Sequence, residues 1–327
     1  MENVLVAGGA GYIGSCMTRK LIQSGHKVVV VDNLSTGHRR LVDPKAVFEK
    51  GDLRHPADID RVLRRHRVDC VMHFAASALV GESVENPLKY YENNALSCIH
   101  LLSAMTKHKV RDFIFSSTCA TYGEPVKIPM SESHPNNPAN PYGRSKLMMD
   151  WILRDLAIAG AIRFISLRYF NACGAHSSGG IGEVHDPETH LIPNILKVAA
   201  GKKKNLVIFG DDFKTPDGTC VRDYIHIEDI ADAHLLAMKA LKRGVKNEYF
   251  NLGHGKGFSN LEILKAVEKI TGKKISYKIG PRRPGDPSKL IADSRKARKV
   301  LGWKPKRGLD EIIRSAWEWE KYLFTTK

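Results

Sequence analysis

A GxxGxxG turn near the start of the chain restricts its fold more than any other feature. Val4-Leu5-Val6-Ala7 reads as a short strand, and Gly8-Gly9-Ala10-Gly11-Tyr12-Ile13-Gly14 follows directly and opens a helical segment, Tyr12–Ser24. Glycines at 8, 11 and 14 serve a tight turn, close backbone approach to a pyrophosphate, and close packing of helix on sheet. The free N–H groups and positive dipole end of the helix would face that anion. A glycine turn alone is common, but here a second strand, Lys27–Asp32, ends in a carboxylate 18 residues past Gly14. A carboxylate there accepts hydrogen bonds from an adenosine ribose and repels a 2′-phosphate, which favours NAD over NADP. His38, Arg39 and Arg40 stand close enough in sequence to leave NADP open.

The first half continues in the same rhythm. Strand patterns at Val47–Lys50, Cys70–Phe74, Phe113–Ser117 and Arg163–Tyr169 alternate with helical patterns at Ala57–Arg67, Leu88–Lys107 and Tyr142–Ala159. Strands alternating with helices imply right-handed βαβ units and a parallel sheet covered on both faces, hence an α/β, doubly wound architecture. After Tyr169 the pattern changes. Residues 172–190 read as an irregular loop, followed by a helix at Ile192–Ala200, a strand at Leu206–Phe209 and a turn region at Gly210–Gly218. A helix at Ile227–Leu241 and a strand at Glu248–Leu252 return to the first domain. Helices at Leu261–Thr271, Arg295–Leu301 and Leu309–Lys321, with a loop at Gly280–Lys289, complete the chain. The expected organisation is a nucleotide-binding domain over 1–170, rejoined by about 225–255, with a smaller, interleaved α/β substrate domain over most of 171–327.

Composition narrows the class. At 327 residues with 43% hydrophobic and 26% charged residues, the chain is typical of a soluble enzyme, and no apolar run is long enough to span a membrane. Six cysteines, at 16, 70, 98, 119, 173 and 220, form no CxxC pair and no His/Cys zinc spacing. They read as reduced cytosolic thiols, with no metal expected. The net charge of +16 is scattered over many segments with no interleaved aromatics, which argues against nucleic-acid binding and suits dianionic nucleotide substrates.

Chemistry enters with Tyr142-Gly143-Arg144-Ser145-Lys146, a YxxxK element at the start of a helix. Spacing of i,i+4 puts phenol and ammonium on one helix face. A lysine cation lowers a phenol from its usual pKa of about 10, and roughly 4 kcal/mol of electrostatic help would bring it to neutrality. Such a tyrosine can take a hydroxyl proton. Thr118, just past the fifth strand, would share the reacting oxygen, because strand C-termini form the ligand crevice in a doubly wound sheet.

With these motifs in view, the chain resembles the extended short-chain dehydrogenase/reductase family over nearly its full length, and within it the UDP-glucose 4-epimerase branch. The markers are Gly8 to Gly14, Asp32-Asn33-Leu34-Ser35, Gly51-Asp52-Leu53, His73-Phe74-Ala75-Ala76, Tyr91-Glu92-Asn93-Asn94, Tyr142 with Lys146, Arg168-Tyr169-Phe170-Asn171 and Val221-Arg222-Asp223-Tyr224-Ile225-His226. The resemblance implies an extended Rossmann fold that holds NAD and inverts C4 of a UDP-hexose through a 4-keto sugar. It assigns Tyr142 as base, Thr118 as its partner, and Lys146 also to the nicotinamide ribose. It places Gly8, Gly11, Tyr12, Ile13, Gly14, Asp32, Asn33, Leu34, Ser35, Thr36, Gly37, Asp52, Leu53, Phe74, Ala75, Ala76, Asn94 and Phe170 around NAD. Around the UDP-sugar it places Asn171, His190, Leu191, Phe209, Arg222, Tyr224, Arg283 and Asp286. Guanidinium forks suit phosphate oxygens; for Arg222, a local ion pair with Asp223 is the competing reading.

Three positions depart from the family. Thr118 stands where serine is frequent, Ala78 where some members carry lysine, and Leu290 at a position that gates sugar size. Nucleotide-sugar 4,6-dehydratases place an Asp-Glu pair after the strand-five hydroxyl, and UDP-glucuronate decarboxylases an acidic residue in the same stretch; Cys119-Ala120 supply neither. Epimerisation of a UDP-N-acetylhexosamine, UDP-glucuronate or a UDP-pentose stays open, as does a non-catalytic NAD sensor on the same fold. Relatives pair into homodimers through the helices matching Leu88–Lys107 and Tyr142–Ala159.

Overall fold

A computed structural model describes residues 1–283 and 285–325. Pro284, inside the expected loop Gly280–Lys289, and the last two residues lie outside them. The first six strands are β1 (Asn3–Ala7), β2 (Lys27–Asp32), β3 (Val47–Lys50), β4 (Cys70–His73), β5 (Asp112–Thr118) and β6 (Arg163–Tyr169). The helices between them are α1 (Tyr12–Gln23), α2 (Pro56–Arg65), α3 (Val80–Glu85), α4 (Pro87–Tyr90), α5 (Ser97–Lys107) and α6 (Pro141–Ile158). Then come β7 (Asn171–Cys173), α7 (Leu191–Ala199), β8 (Leu206–Phe209), β9 (Val221–Arg222), β10 (Tyr224–His226), α8 (Ile227–Lys242) and β11 (Glu248–Leu252). The chain closes with β12 (Phe258–Ser259), α9 (Asn260–Thr271), β13 (Tyr277–Gly280), β14 (Lys289–Leu290), α10 (Arg295–Leu301) and α11 (Leu309–Thr325).

The main sheet has seven parallel strands among the described residues, in the order β11-β6-β5-β4-β1-β2-β3. Alternation along β1 divides the core between its faces. Val4 and Val6 pack with Met17 and Leu21 of α1 and with α8, while Leu5 and Ala7 pack with Ile59 of α2, Leu101 of α5 and Met149 of α6. Strand order reverses between β1 and β4, so the loops leaving these two strands diverge and open a crevice at their C-terminal ends. A separate apolar cluster joins Ile192 and Ile195 of α7, Ile208 of β8, Ile263 of α9 and Ile312 of α11. It supports the second wall of that crevice. Small sheets pair β10 with β7, β13 with β8, and β9 with both β12 and β14.

One expected element is broken. Leu88–Lys107 is not a single helix: α4 gives way to a π-helical turn at Tyr91–Leu96 before α5. Side-chain bonds account for the widened turn. Asn93 donates to the Ser77 hydroxyl at 2.9 Å, Asn94 exchanges two bonds with the Ser77 backbone at 2.8 and 3.0 Å, and Ser97 bonds back to the Asn93 carbonyl. Single π turns of this kind frequently occur at functional sites.

Between β6 and α6 lies a buried ion pair. Arg168 of β6 donates from Nη2 to Asp150 of α6 at 2.7 Å and from Nη1 to the Tyr122 hydroxyl at 3.1 Å. Ser166 completes the carboxylate at 2.8 Å. The pair ties the middle of α6 to β6.

Candidate active site

A cavity of about 1270 Å³ runs along the C-terminal ends of β1, β2, β4 and β5 and continues to β8, α7 and the loop before β14. At one end stands the glycine turn. Gly8 has φ +80°, and a Cβ there would lie 2.5 Å from the Ala75 nitrogen, whereas at Gly11 the nearest atom would be 3.4 Å away. A Cβ on Gly14 would meet the Gly8 oxygen at 2.2 Å, so the helix start packs directly on the turn. Gly11, Tyr12, Ile13 and Gly14 line the cavity, and among the described residues no side chain caps α1. Its first N–H groups are therefore free for an anion. This cradle fits the pyrophosphate of NAD.

Asp32 borders the same end. Its carboxylate accepts from the backbone of Ala10 at 3.0 Å and of Leu34 at 2.8 Å, which leaves lone pairs for ribose hydroxyls. Arg39, a possible partner for a 2′-phosphate, instead lies over the Phe48 ring at 4.6 Å. Asp52, held well below the usual carboxylate range by Arg54, lines the cavity with Asn33, Ser35, Thr36, Gly37 and Leu53. Phe74, Ala75, Ala76 and Phe170 line it as well. Three residues expected at the cofactor do not reach the wall: Leu34, Asn94 and, as described below, Lys146. Leu34 takes a left-handed backbone, φ 63°, and packs against the core instead. Asn94 is buried behind the wall, bonded to Ser77 and, at 3.0 Å, to Ser145.

Thr118 and Tyr142, distant in sequence, meet in the middle. Thr118 ends β5; Tyr142 lies in the first turn of α6, a helix capped by Asn140 accepting from Gly143 at 2.9 Å. Both line the cavity; the Thr118 side chain pulls on the Tyr142 phenol, and its hydroxyl accepts from the Ala120 N–H at 3.1 Å. Lys146, one turn on, sits behind them: its ammonium donates to the Ser116 carbonyl at 2.9 Å and lies 4.8 Å from the Phe115 ring. One expectation needs correction. Lys146 is not among the groups that move the phenol. Burial pushes Tyr142 up to about 12 against the pull of Thr118, and burial lowers Lys146 to about 8. The i,i+4 spacing aligns the two residues along the helix, but the ammonium is turned toward β5.

The far end is cationic. Arg222 is buried and pairs with Asp286; it does not pair with Asp223, whose carboxylate accepts from the backbone of His254, Gly255 and Ala292 at 2.8, 2.9 and 3.1 Å. Arg283 lies over the Phe209 ring at 4.1 Å. Asn171, Leu191, Tyr224 and His190 share this wall, with Leu290 packed beside Cys119 and Phe170. Sequence reasoning missed Tyr169, Glu183, His185 and Glu188, which also line the cavity. The last three fall in a segment that has neither strand nor helix pattern.

Comparison with known proteins completes the picture. Residues 4–253 match the model of the NAD dependent epimerase/dehydratase family. The UDP-glucose 4-epimerase of Lactobacillus helveticus is 54% identical over 97% of both chains, and that of Streptococcus mutans is 54% identical over 97% of this chain and 96% of its own. The chain belongs to the UDP-glucose 4-epimerases of this family. The crystal structure of the Brucella ovis UDP-glucose 4-epimerase in complex with NAD, 47% identical, superposes with a TM-score of 0.94 over 97% of this chain and 98% of that one. The cofactor is NAD and the fold the extended Rossmann one. No described helix is long and apolar enough to cross a membrane.

Proposed function

We propose that this protein interconverts UDP-galactose and UDP-glucose at C4, with NAD as resident cofactor. The observation that carries the reading is that Thr118 and Tyr142 line one cavity together with an uncapped glycine-rich helix start and a buried arginine. NAD, when bound, supplies the two-electron acceptor for the C4 hydrogen. The chain's own work concerns the proton and the position of the sugar. Tyr142 accepts the proton of the 4-hydroxyl, with the Thr118 hydroxyl bonded to the same oxygen. Arg222 and Arg283 hold the pyrophosphate while the 4-keto sugar turns to present its other face, and Tyr142 returns the proton to the C4 oxygen. Substrate and product have the same oxidation state, so the cofactor need not leave. Residues 1–170, with the return through about 225–255, serve the cofactor, and the remainder serves the sugar nucleotide.

The test is to incubate the purified protein with UDP-galactose and with UDP-N-acetylgalactosamine, adding no NAD. Conversion of UDP-galactose to its gluco epimer supports the reading; no conversion of either, even with NAD supplied, sinks it. Leu290 bears on breadth. Leu290→Tyr should narrow the cavity and lower any activity on the N-acetylated sugar at least 10-fold relative to UDP-galactose, which a ratio of kcat/KM for the two substrates measures.

The protein is further proposed to form homodimers in the cytosol. Six cysteines are all free and buried, as suits a reducing compartment. Helices α3 and α4 pack against α6, and this face exposes Val84, Leu88, Trp151 and Ile158, at 58, 70, 59 and 77%. Exposed apolar side chains on packed helices suit contact with a second copy of the chain. Trp151→Glu should convert the dimer to a monomer in light scattering; an unchanged mass would reject this face.

A further inference from the structure

The loop between β7 and α7 carries Glu183-x-His185-x-x-Glu188-x-His190, and folding turns all four side chains inward. One donor atom from each lies within 4.8 Å of all the others. Both histidines aim Nδ1 at the same oxygen: Glu183 Oε1 is 2.7 Å from His190 and 3.0 Å from His185. Glu188 lies 3.2 Å from His190 and 3.8 Å from His185. Both carboxylates are nearly inaccessible, at 7 and 3% side-chain exposure, and no Lys or Arg side chain among the described residues forms an ion pair with either.

We propose that Glu183, His185, Glu188 and His190 form a binding site for one divalent transition-metal ion, Zn²⁺ foremost. Imidazole nitrogen and carboxylate oxygen are both zinc ligands, and in a tetrahedral site bonds of about 2.0–2.2 Å place neighbouring donors about 3.3 Å apart. The observed separations of 2.7 to 3.8 Å bracket that value. Charge points the same way. Two buried carboxylates with neutral imidazoles carry −2, which a divalent cation cancels. Balance by protons instead requires two imidazolium rings, 5.2 Å apart between centroids, to crowd their protons onto one oxygen. Harder ions such as Mg²⁺ prefer all-oxygen, six-coordinate sites.

The site's position gives the ion a structural task. His185 meets the ring of Tyr12, in the pyrophosphate turn, edge to face at 6.4 Å, and His190 is the N-cap residue of α7. Trp319 of α11 anchors the loop through the Glu183 carbonyl at 2.8 Å. A bound ion would clip the loop between the cofactor cradle and the helix that lines the sugar-nucleotide end. No bond to substrate is needed for this.

The experiment uses untagged, NAD-loaded protein. After chelator treatment and desalting, titration with Zn²⁺ should reach one equivalent per chain and raise the melting temperature by several degrees, while Mg²⁺ does neither. Co²⁺ in its place should develop the intense visible absorption of a tetrahedral site. His185→Gln with Glu188→Gln should abolish the stoichiometric uptake and the Co²⁺ spectrum while circular dichroism stays as in the parent. Wild-type protein that takes up no stoichiometric Zn²⁺, or binds it without a tetrahedral Co²⁺ spectrum, overturns the proposal. So does a double variant that binds as much as the parent.

Discussion

Tyr142→Phe is expected to lower kcat about 10³-fold while bound NAD stays at wild-type stoichiometry. The factor is what a positioned general base contributes. Cofactor retention follows because the glycine turn, Asp32 and Asp52 stand apart from the phenol. Thr118→Val should cost less, about 10-fold, the worth of one neutral hydrogen bond, and Thr118→Ser should restore it. Wild-type pH dependence gives a second check. The base form of Tyr142 is needed, and burial holds its phenol high, so rate should rise with pH from the acid side. A Tyr142→Phe enzyme that keeps a tenth of its turnover would mean that the 4-hydroxyl proton leaves by another route.

Asp150→Ala should destabilise the protein by about 3–5 kcal/mol, because the Arg168 guanidinium then stays buried without its counter-charge. Urea unfolding at neutral pH measures this. Asp150→Asn should cost less, since the amide oxygen still accepts from Arg168 while its NH2 faces the Ser166 hydroxyl, which can turn to accept. Removing both charges, with Asp150→Leu and Arg168→Met, should recover most of the loss, as buried pairs commonly contribute little beyond specificity. A single Asp150→Ala loss under 1 kcal/mol would show that water reaches the guanidinium. Asp150 shares α6 with Tyr142, so the variants also separate stability from turnover: a folded double variant with low kcat would mean that the pair sets the tilt of the catalytic helix.

Legibility followed the length of the pattern. Lys27–Asp32, Arg163–Tyr169 and Glu248–Leu252 match their strands residue for residue, because four or more alternating or apolar positions announce a buried strand. Strands of two or three residues, such as Val221–Arg222 and Lys289–Leu290, have no period to detect; tertiary contacts alone create them. Leu88–Lys107 had a helical period throughout, yet the Asn93 and Asn94 amides reach across to Ser77 and widen one turn. Periodicity is blind to such side-chain bonds. In the site, glycine turn, Asp32 and YxxxK were readable since their spacing carries the geometry. The direction of the Lys146 ammonium was not, because it depends on a carbonyl of β5. Glu183, His185 and Glu188 escaped notice for a related reason: their alternation with spacers fits no Cys/His metal pattern, and they converge only once the loop folds.

The route of the chain between the two walls of the crevice has a dynamic meaning. It leaves the main sheet after β6, passes through β7, α7 and β8, returns by α8 to place β11 at the sheet's edge, and departs again for α9. Two bodies joined by one strand can swing apart like jaws. Here several separate strands of chain cross the boundary, and a wide opening would need all of them to bend together. Ligand traffic therefore falls to local loops at the rim, and exchange of a deeply seated dinucleotide should be slow compared with turnover of the sugar. The same weave denies either wall an independent existence: the second lacks a contiguous sequence of its own, and the first is missing its last strand until residue 252 has been made. During synthesis, the cofactor cradle thus forms before the sheet that supports it is complete.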